Sequence, residues 1–223
     1  RLYCHPVISD PIVVFLNKAT PQKALSLIDV LKDRLRITDS AQIADAAWMV
    51  GDNLPLFLSN ADSLAALGIS SIIYPYSVNA VFGDAWGELS FQRSKSSIDY
   101  KGLNRWPFDA AFTEELQAVN KLPALNGLFR FDGSRQLDWQ TVLNTEDGKP
   151  FLLKKSKDVA NIWMFLGSFE EDENNWISSA WFLSVMGQLL FTEANSTVDI
   201  CSFLGKTDLQ VPNKLDLSLD EAA

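Results

Sequence analysis

Ser70-Ser71-Ile72-Ile73-Tyr74, followed by Pro75-Tyr76-Ser77-Val78-Asn79, decides the reading of this chain. The first five residues form a short uncharged run with the β-branched pair Ile72-Ile73. That suits a strand buried on both faces of a parallel sheet. The turn after such a strand is where α/β enzymes place a nucleophile, and the nucleophile needs a base beside it. Here the turn holds Ser77, flanked by Tyr76 and Val78 rather than by small residues. No Cys follows an internal strand, and the sole His is His5. Ser77 therefore reads as a turn residue whose hydroxyl caps the next backbone groups, in preference to a nucleophile.

Outward from this strand the same rhythm repeats. Residues 11–16 (PIVVFL) read as a buried strand. Thr20-Pro21 offers an N-cap with Pro at the first helical position. Ala24, Leu27, Ile28, Leu31 and Leu35 then follow at helical spacing. Residues 36–38 are a short strand, residues 40–46 allow a helical turn, and residues 47–50 (AWMV) are another buried strand ending at Gly51. Residues 59–67 (SNADSLAAL) predict a helix closed by Gly68. From residue 78 to 122 the rhythm is lost. Glycines, prolines, Trp86, Trp106, Phe108 and Phe112 read as an elaborated connection with one helix over residues 109–120.

The second half changes character. Residues 139–143, 150–154 and 161–166 are strand-like; the first two are joined by Glu146-Asp147-Gly148, and the next pair is separated by Ser156-Lys157-Asp158. Short turns between consecutive strands require antiparallel pairing. Residues 176–191 are apolar almost all round and predict a buried helix that includes Trp181. The expected fold is α/β: a three-layer, doubly wound, mainly parallel sheet of flavodoxin-like kind, with added antiparallel strands. The expected units are residues 1–195, in which 83–122 form the elaborated connection, and a β-rich extension over 196–223.

Composition bounds the function. The formal net charge is -9, with 47% hydrophobic residues, seven Trp and fourteen Phe. An acidic chain without a basic cluster repels phosphate backbones, which argues against nucleic acid and anionic lipid as partners. Cys4 and Cys201 lie at opposite ends with no zinc-like spacing and read as unpaired thiols, although they could meet if the termini are adjacent. Residues 176–191 are shorter than the roughly 20 residues of a membrane helix and contain polar side chains. The ends, Arg1 and Asp220-Glu221-Ala222-Ala223, are those expected of a piece of a longer protein.

The remaining candidates have bland competitors. His5 reads as structural or solvated. Glu170-Glu171-Asp172-Glu173 reads as a solvated loop before a helix, with Asn174 as N-cap, rather than a cation site. Trp86, Trp106 and Phe108 would line a ligand groove or pack the long connection onto the sheet. No metal ligands and no cofactor are expected.

From residue 12 to 194 the chain resembles the glutamine-amidotransferase-like domain of BatA-type aerotolerance-operon membrane proteins. The resemblance rests on Asp10-Pro11-Ile12-Val13-Val14, on Ala44-Asp45-Ala46-Ala47-Trp48-Met49-Val50-Gly51, and on Asn104-Arg105-Trp106-Pro107-Phe108, where Trp106 replaces the family's usual His. Its most specific part is Trp139-Gln140-Thr141-Val142-Leu143 followed by Gly148-Lys149-Pro150-Phe151-Leu152. The resemblance implies a flavodoxin-like fold in the periplasmic part of an envelope protein. Its membrane anchor would lie in segments outside this chain, and its role would be non-catalytic, among protein partners. The Cys-His-Glu triad of class I amidotransferases does not carry over.

Three functions compete: an interaction scaffold, a hydrolase or sugar-active enzyme using carboxylates and Ser77, and a carbohydrate or small-ligand module using Trp86, Trp106 and Phe108. An apolar plug at the C-terminal ends of the parallel strands would favour the first. Polar side chains there would favour the second, and an exposed aromatic platform the third.

Overall fold

The computed structural model describes residues 12–16, 35–40, 43–83, 89–99, 123–130, 138–170 and 172–179, with Phe182, Val185, Met186, Gly187, Leu189 and Leu190. The strands are β1 (Ile12–Leu16), β2 (Leu35–Thr38), β3 (Ala46–Gly51), β4 (Ser70–Pro75), β5 (Phe91–Asp99), β6 (Ala124–Phe129), β7 (Gln140–Thr145), β8 (Pro150–Lys157) and β9 (Ala160–Phe165). They form one sheet in the order β2-β1-β3-β4-β9-β8-β7-β5-β6. The pairs from β2 to β9 are parallel. Those from β9 to β6 are antiparallel. The parallel half thus has the 2-1-3-4-5 order of a flavodoxin-like sheet, with β9 in fifth place. The three early runs pair as expected, and the antiparallel strands extend one side.

The central strands are buried on both faces. Trp48, Val50, Ile72, Tyr74, Trp163 and Phe165 belong to one apolar cluster, with Phe182, Val185, Met186, Leu189 and Leu190 against it. The alternate residues Ala47, Met49, Ile73, Ile162 and Met164 belong to the other, with α1 (Leu54–Ala65) against it. α1 starts five residues before the expected helix. Asn53 accepts a hydrogen bond from the Leu56 N–H at 3.2 Å, and Pro55 sits in the first turn. Leu54, Phe57, Ala61, Leu64 and Ala65 form its buried stripe. Gly68, with φ of 78°, ends it as expected; the Ile69 N–H returns to the Leu64 carbonyl at 3.0 Å.

Other expectations shift. Leu35 begins β2 rather than closing a helix. Residues 91–99, expected within a connection, form a nine-residue strand. β6 was not anticipated. Ser156 and Lys157 belong to β8, and the turn is Asp158-Val159, with Asp158 at φ of 54° as a two-residue hairpin demands. Trp176 lies in a bend and Ile177 in a turn rather than in a helix, and Phe182 is the first described residue after them that is helical; its N–H donates to Ser179 Oγ at 3.4 Å. Cys4, His5, the rest of the helix expected over 24–35, the helix expected over 109–120, Trp181 and residues 196–223 lie outside the described residues.

β6 is shielded by a short return of chain. The Asn126 N–H donates to the Glu173 carbonyl at 2.7 Å, and the Asn175 N–H donates to the Ala124 carbonyl at 3.2 Å. The Ala124 N–H donates to Asn175 Oδ1 at 2.7 Å. A covered edge cannot template another chain.

Two stability predictions come from the antiparallel half. A Cβ on Gly127 would overlap the Phe91 ring and stand 2.9 Å from the Gln92 carbonyl oxygen. Gly127→Ala is expected to lower unfolding free energy by about 1–3 kcal/mol in urea titration, the usual cost of overpacking. In the β7–β8 turn, Asp147 accepts from Lys149, Thr145 and Ser96, and these partners hold its carboxyl down at about 2. A folded-state value below the ordinary one adds stability that is present above about pH 4 and lost as pH falls toward 2. Asp147→Asn should therefore lower the urea midpoint at pH 7, with the difference from the parent vanishing near pH 2. An equal difference at both pH values would refute this.

Candidate functional site

In a doubly wound sheet, ligands meet the C-terminal ends of the parallel strands, at the point where strand order reverses. That point lies here between β1 and β3. The chain after β1 is outside the described residues, so the site is built from the ends of β3, β4 and β9. Gly51 closes β3, and the Tyr76 N–H past β4 donates to its carbonyl at 3.1 Å. The loop after β4 then folds back beside the start of α1: the Val81 N–H donates to the Asp52 carbonyl at 2.8 Å, and the Leu54 N–H donates to the Val81 carbonyl at 3.1 Å.

Ser77 sits inside this loop, 9% exposed. Its N–H donates to Asp52 Oδ1 at 2.7 Å, and its O–H donates to Asp52 Oδ2 at 3.1 Å. Its Oγ accepts from the Asn79 N–H at 3.1 Å, and the Ala80 N–H closes the turn on the Ser77 carbonyl at 3.2 Å. A nucleophile elbow is a strained strand-to-helix turn. Here the chain goes from strand to turn to the Asn53–Val81 bridge. Asp158 is the sole non-glycine residue with positive φ among those described, so Ser77 does not carry an elbow's strain. The capping role expected of Ser77 is the one observed.

β9 contributes the third wall. The Phe169 N–H reaches the Pro75 and Tyr76 carbonyls at 2.9 and 3.0 Å. Ser168 Oγ donates to the Tyr76 carbonyl at 3.0 Å, and Glu170 Oε2 accepts from the Val78 N–H at 3.1 Å. Asn174, 2% exposed, donates its amide to the Ser168 carbonyl and accepts from the Ile177 N–H. The acidic run is thus not a solvated loop throughout. Glu170 ties β9 to the Ser77 turn, and Glu173 is buried with Arg93 at 2.6 Å from it. Beneath the loops lie Tyr74 and Trp48. Burial pushes the Tyr74 phenol far above its ordinary value, so it stays protonated at any working pH.

Asp52 and Ser168 were not singled out from sequence, and Glu170 was read there only as part of a solvated acidic run. Asp52 could have been, as the first polar residue after a buried strand. Trp86, Trp106 and Phe108 lie outside the described residues. An open trough of about 460 Å³ runs beside α1, lined by Pro55, Ser59, Asp62, Ser63, Phe82 and Gly83. Among the described residues, no three His, Cys, Asp or Glu side chains gather as metal ligands. No helix among them is long and apolar enough to cross a membrane.

No protein-family model matches this sequence, and no curated protein sequence matches it significantly. Solved structures resemble this chain to differing degrees. A cytoplasmic protein of Salmonella typhimurium LT2 matches with a TM-score of 0.52 at 11% identity, over 81% of this chain and 98% of that one. A GH42 β-galactosidase matches at 0.47 and 10% identity, over 82% of this chain but 30% of the enzyme. A ThuA-like protein from Bacteroides uniformis matches at 0.44 and 9% identity, over 86% of this chain and 93% of that one. The chain is therefore an α/β domain with a large mixed sheet, compatible with the flavodoxin-like fold.

Asp52 is the common anchor of these groups. Asp52→Ala leaves the Ser77 N–H and O–H without acceptors and is expected to cost about 1–3 kcal/mol. Ser77→Ala loses one hydrogen bond and should cost less. Equal and negligible costs in urea titration would show that the loop is not held this way.

Proposed function

We propose that this chain is a non-catalytic interaction domain, an amidotransferase-like fold of three layers serving as a scaffold. Its parent would be a membrane-anchored envelope protein of BatA type, with a periplasmic location and protein partners. Polar side chains, not the apolar plug expected of a scaffold, stand at the described strand ends; what carries this reading instead is that they are already engaged. Both Asp52 oxygens hold the Ser77 turn, and Glu170 holds Val78. Groups engaged in fixing backbone are poorly placed to transfer protons to a substrate, whereas loops fixed this way present a rigid docking surface. The resemblance in the segments around Trp48 and Trp139 supplies the family and the setting.

A second reading keeps a specific observation in its favour. The Ser77 hydroxyl donates to a carboxylate, and polar rather than apolar side chains gather at the strand ends, as a hydrolase or carbohydrate-active domain would require. The two readings separate in one experiment. The full chain is incubated with glutamine, with an activated ester and with an activated glycoside, next to its Ser77→Ala and Asp52→Asn variants. The scaffold reading expects no turnover above buffer. Steady release of ammonia or leaving group, abolished in either variant, would replace it with the hydrolase reading.

A further inference from the structure

The antiparallel half holds a second polar feature, far in sequence from the strand-end loops. Arg93 pairs with Gly127 and Ser96 pairs with Leu125 across β5 and β6. Two residues of β5, Ser94 and Lys95, therefore oppose one residue of β6, Asn126. This is a β-bulge, which re-aims side chains. In a regular strand Ser94 would face away from Arg93 and Lys95. Here all three border one open depression of about 420 Å³, with Asn126 on its β6 side.

The lining is pre-set. Glu173, whose side chain is 9% exposed, accepts from Arg93 Nη2 at 2.6 Å. Its backbone carbonyl accepts from Asn126 N–H at 2.7 Å. Arg93 is thus fixed at one nitrogen although its side chain is 75% exposed, and the rest of its planar fork is left to donate. Asn126 donates its amide to the Asp172 carbonyl at 2.9 Å, which leaves Oδ1 as an acceptor. Ser94 Oγ accepts from Lys149 Nζ at 2.8 Å, which leaves its hydrogen to donate. The bulge itself brings two cationic side chains, Arg93 and Lys95, to one depression.

We propose that the β5–β6 bulge is a binding site for a small hydroxylated carboxylate of the sugar-acid class. The carboxylate would sit between Arg93 and Lys95, and a hydroxyl would donate to Asn126 Oδ1 and accept from Ser94. The depression falls within the size range of small-molecule sites. Buried Glu173 serves as a positioning residue: it holds the Arg93 fork ready, which lowers the ordering cost of binding.

Titration calorimetry on the full chain at low salt tests this, with glucuronate as probe and with glucose and inorganic phosphate as comparisons. Saturable binding of glucuronate, none of glucose, and affinity about tenfold weaker in Lys95→Gln is the expected result, as loss of one charge-assisted contact implies. Arg93→Gln should weaken binding at least as much. Because that variant leaves Glu173 buried without its partner, Lys95→Gln, at an exposed position, carries the decision, with its far-ultraviolet circular dichroism matching the parent. Three results would overturn the assignment: no binding of glucuronate, binding of glucose with equal affinity, or glucuronate binding unchanged in Lys95→Gln. Phosphate binding as tightly as glucuronate and displacing it would overturn the sugar-acid class.

Discussion

Everything in this sheet depends on β9 being paired in two senses at once. One edge is parallel to β4, through Ser71–Ile162, Ile72–Trp163 and Ile73–Met164; the other is antiparallel to β8. A parallel partner cannot be reached by a tight turn. The chain therefore leaves β4, builds β5 to β8, and returns through the Asp158-Val159 hairpin to lay β9 beside β4. The antiparallel half is in this sense an insertion between the fourth and fifth positions of a doubly wound sheet. Register is strongly enforced. Trp163 and Phe165 face one apolar cluster and Ile162 and Met164 the other, all at 1% exposure or less. A slip of one residue would drive the Trp163 indole into the side occupied by α1. Asn161 N–H on Ser70 Oγ, at 2.9 Å, marks the start of the correct register.

That register brings the ends of β3, β4 and β9 to one level. Asp52, Ser77 and Glu170, separated by as many as 92 residues in the bonds they support, meet there because their strands are aligned. None of the three pairings is local, so none leaves a spacing motif in the sequence. Ser77 was visible as a turn residue because its strand was visible. Its partner was not, since Asp52 belongs to a different strand end. The same holds for Glu173. In sequence it is one acid among four, and the partner it meets, Arg93, is 80 residues away.

The parallel half was legible because strands buried on both faces are short on polar side chains: 12–16 and 46–51 have none, and 70–75 has only Ser70 and Ser71 before its apolar residues. The hairpins from β7 to β9 were legible through their turns. β5 was not. Phe91-Gln92-Arg93-Ser94-Lys95-Ser96-Ser97-Ile98-Asp99 has no alternation of apolar residues, and its bulge breaks the period as well. β6 carries Asn126-Gly127 in its middle, a pair that reads as a turn. In the fold, Gly127 instead makes room for Phe91, and Asn126 bonds to the return of chain at 172–175. Both strands are specified by neighbours rather than by their own pattern, which is how strand preference generally behaves. α1 was placed late because its start is marked by Asn53 and Pro55 rather than by its apolar stripe.

The strand-end loops are also tied to the core beneath them. Phe169 donates its N–H to the Pro75 and Tyr76 carbonyls while its ring packs edge-on against Tyr74 at 5.1 Å and against Phe182 at 5.8 Å. Tyr74 stacks on Phe165 at 4.6 Å, and Trp48 closes the group at 6.3 Å from Phe182. In this layer the Tyr74 hydroxyl and the Trp48 Nε1–H are buried without hydrogen-bond partners. An unpaired buried donor is costly, so these rings hold their places through packing area and aromatic geometry. A loop hung from such a layer cannot shift without moving Phe169 and, with it, the rings on either side. Close-packed interiors transmit strain rather than absorb it. The Ser77 turn is therefore stiff for two independent reasons, its carboxylate clamps above and the aromatic layer below. A ligand or partner that meets this surface meets loops already ordered, which lowers the entropic cost of binding there.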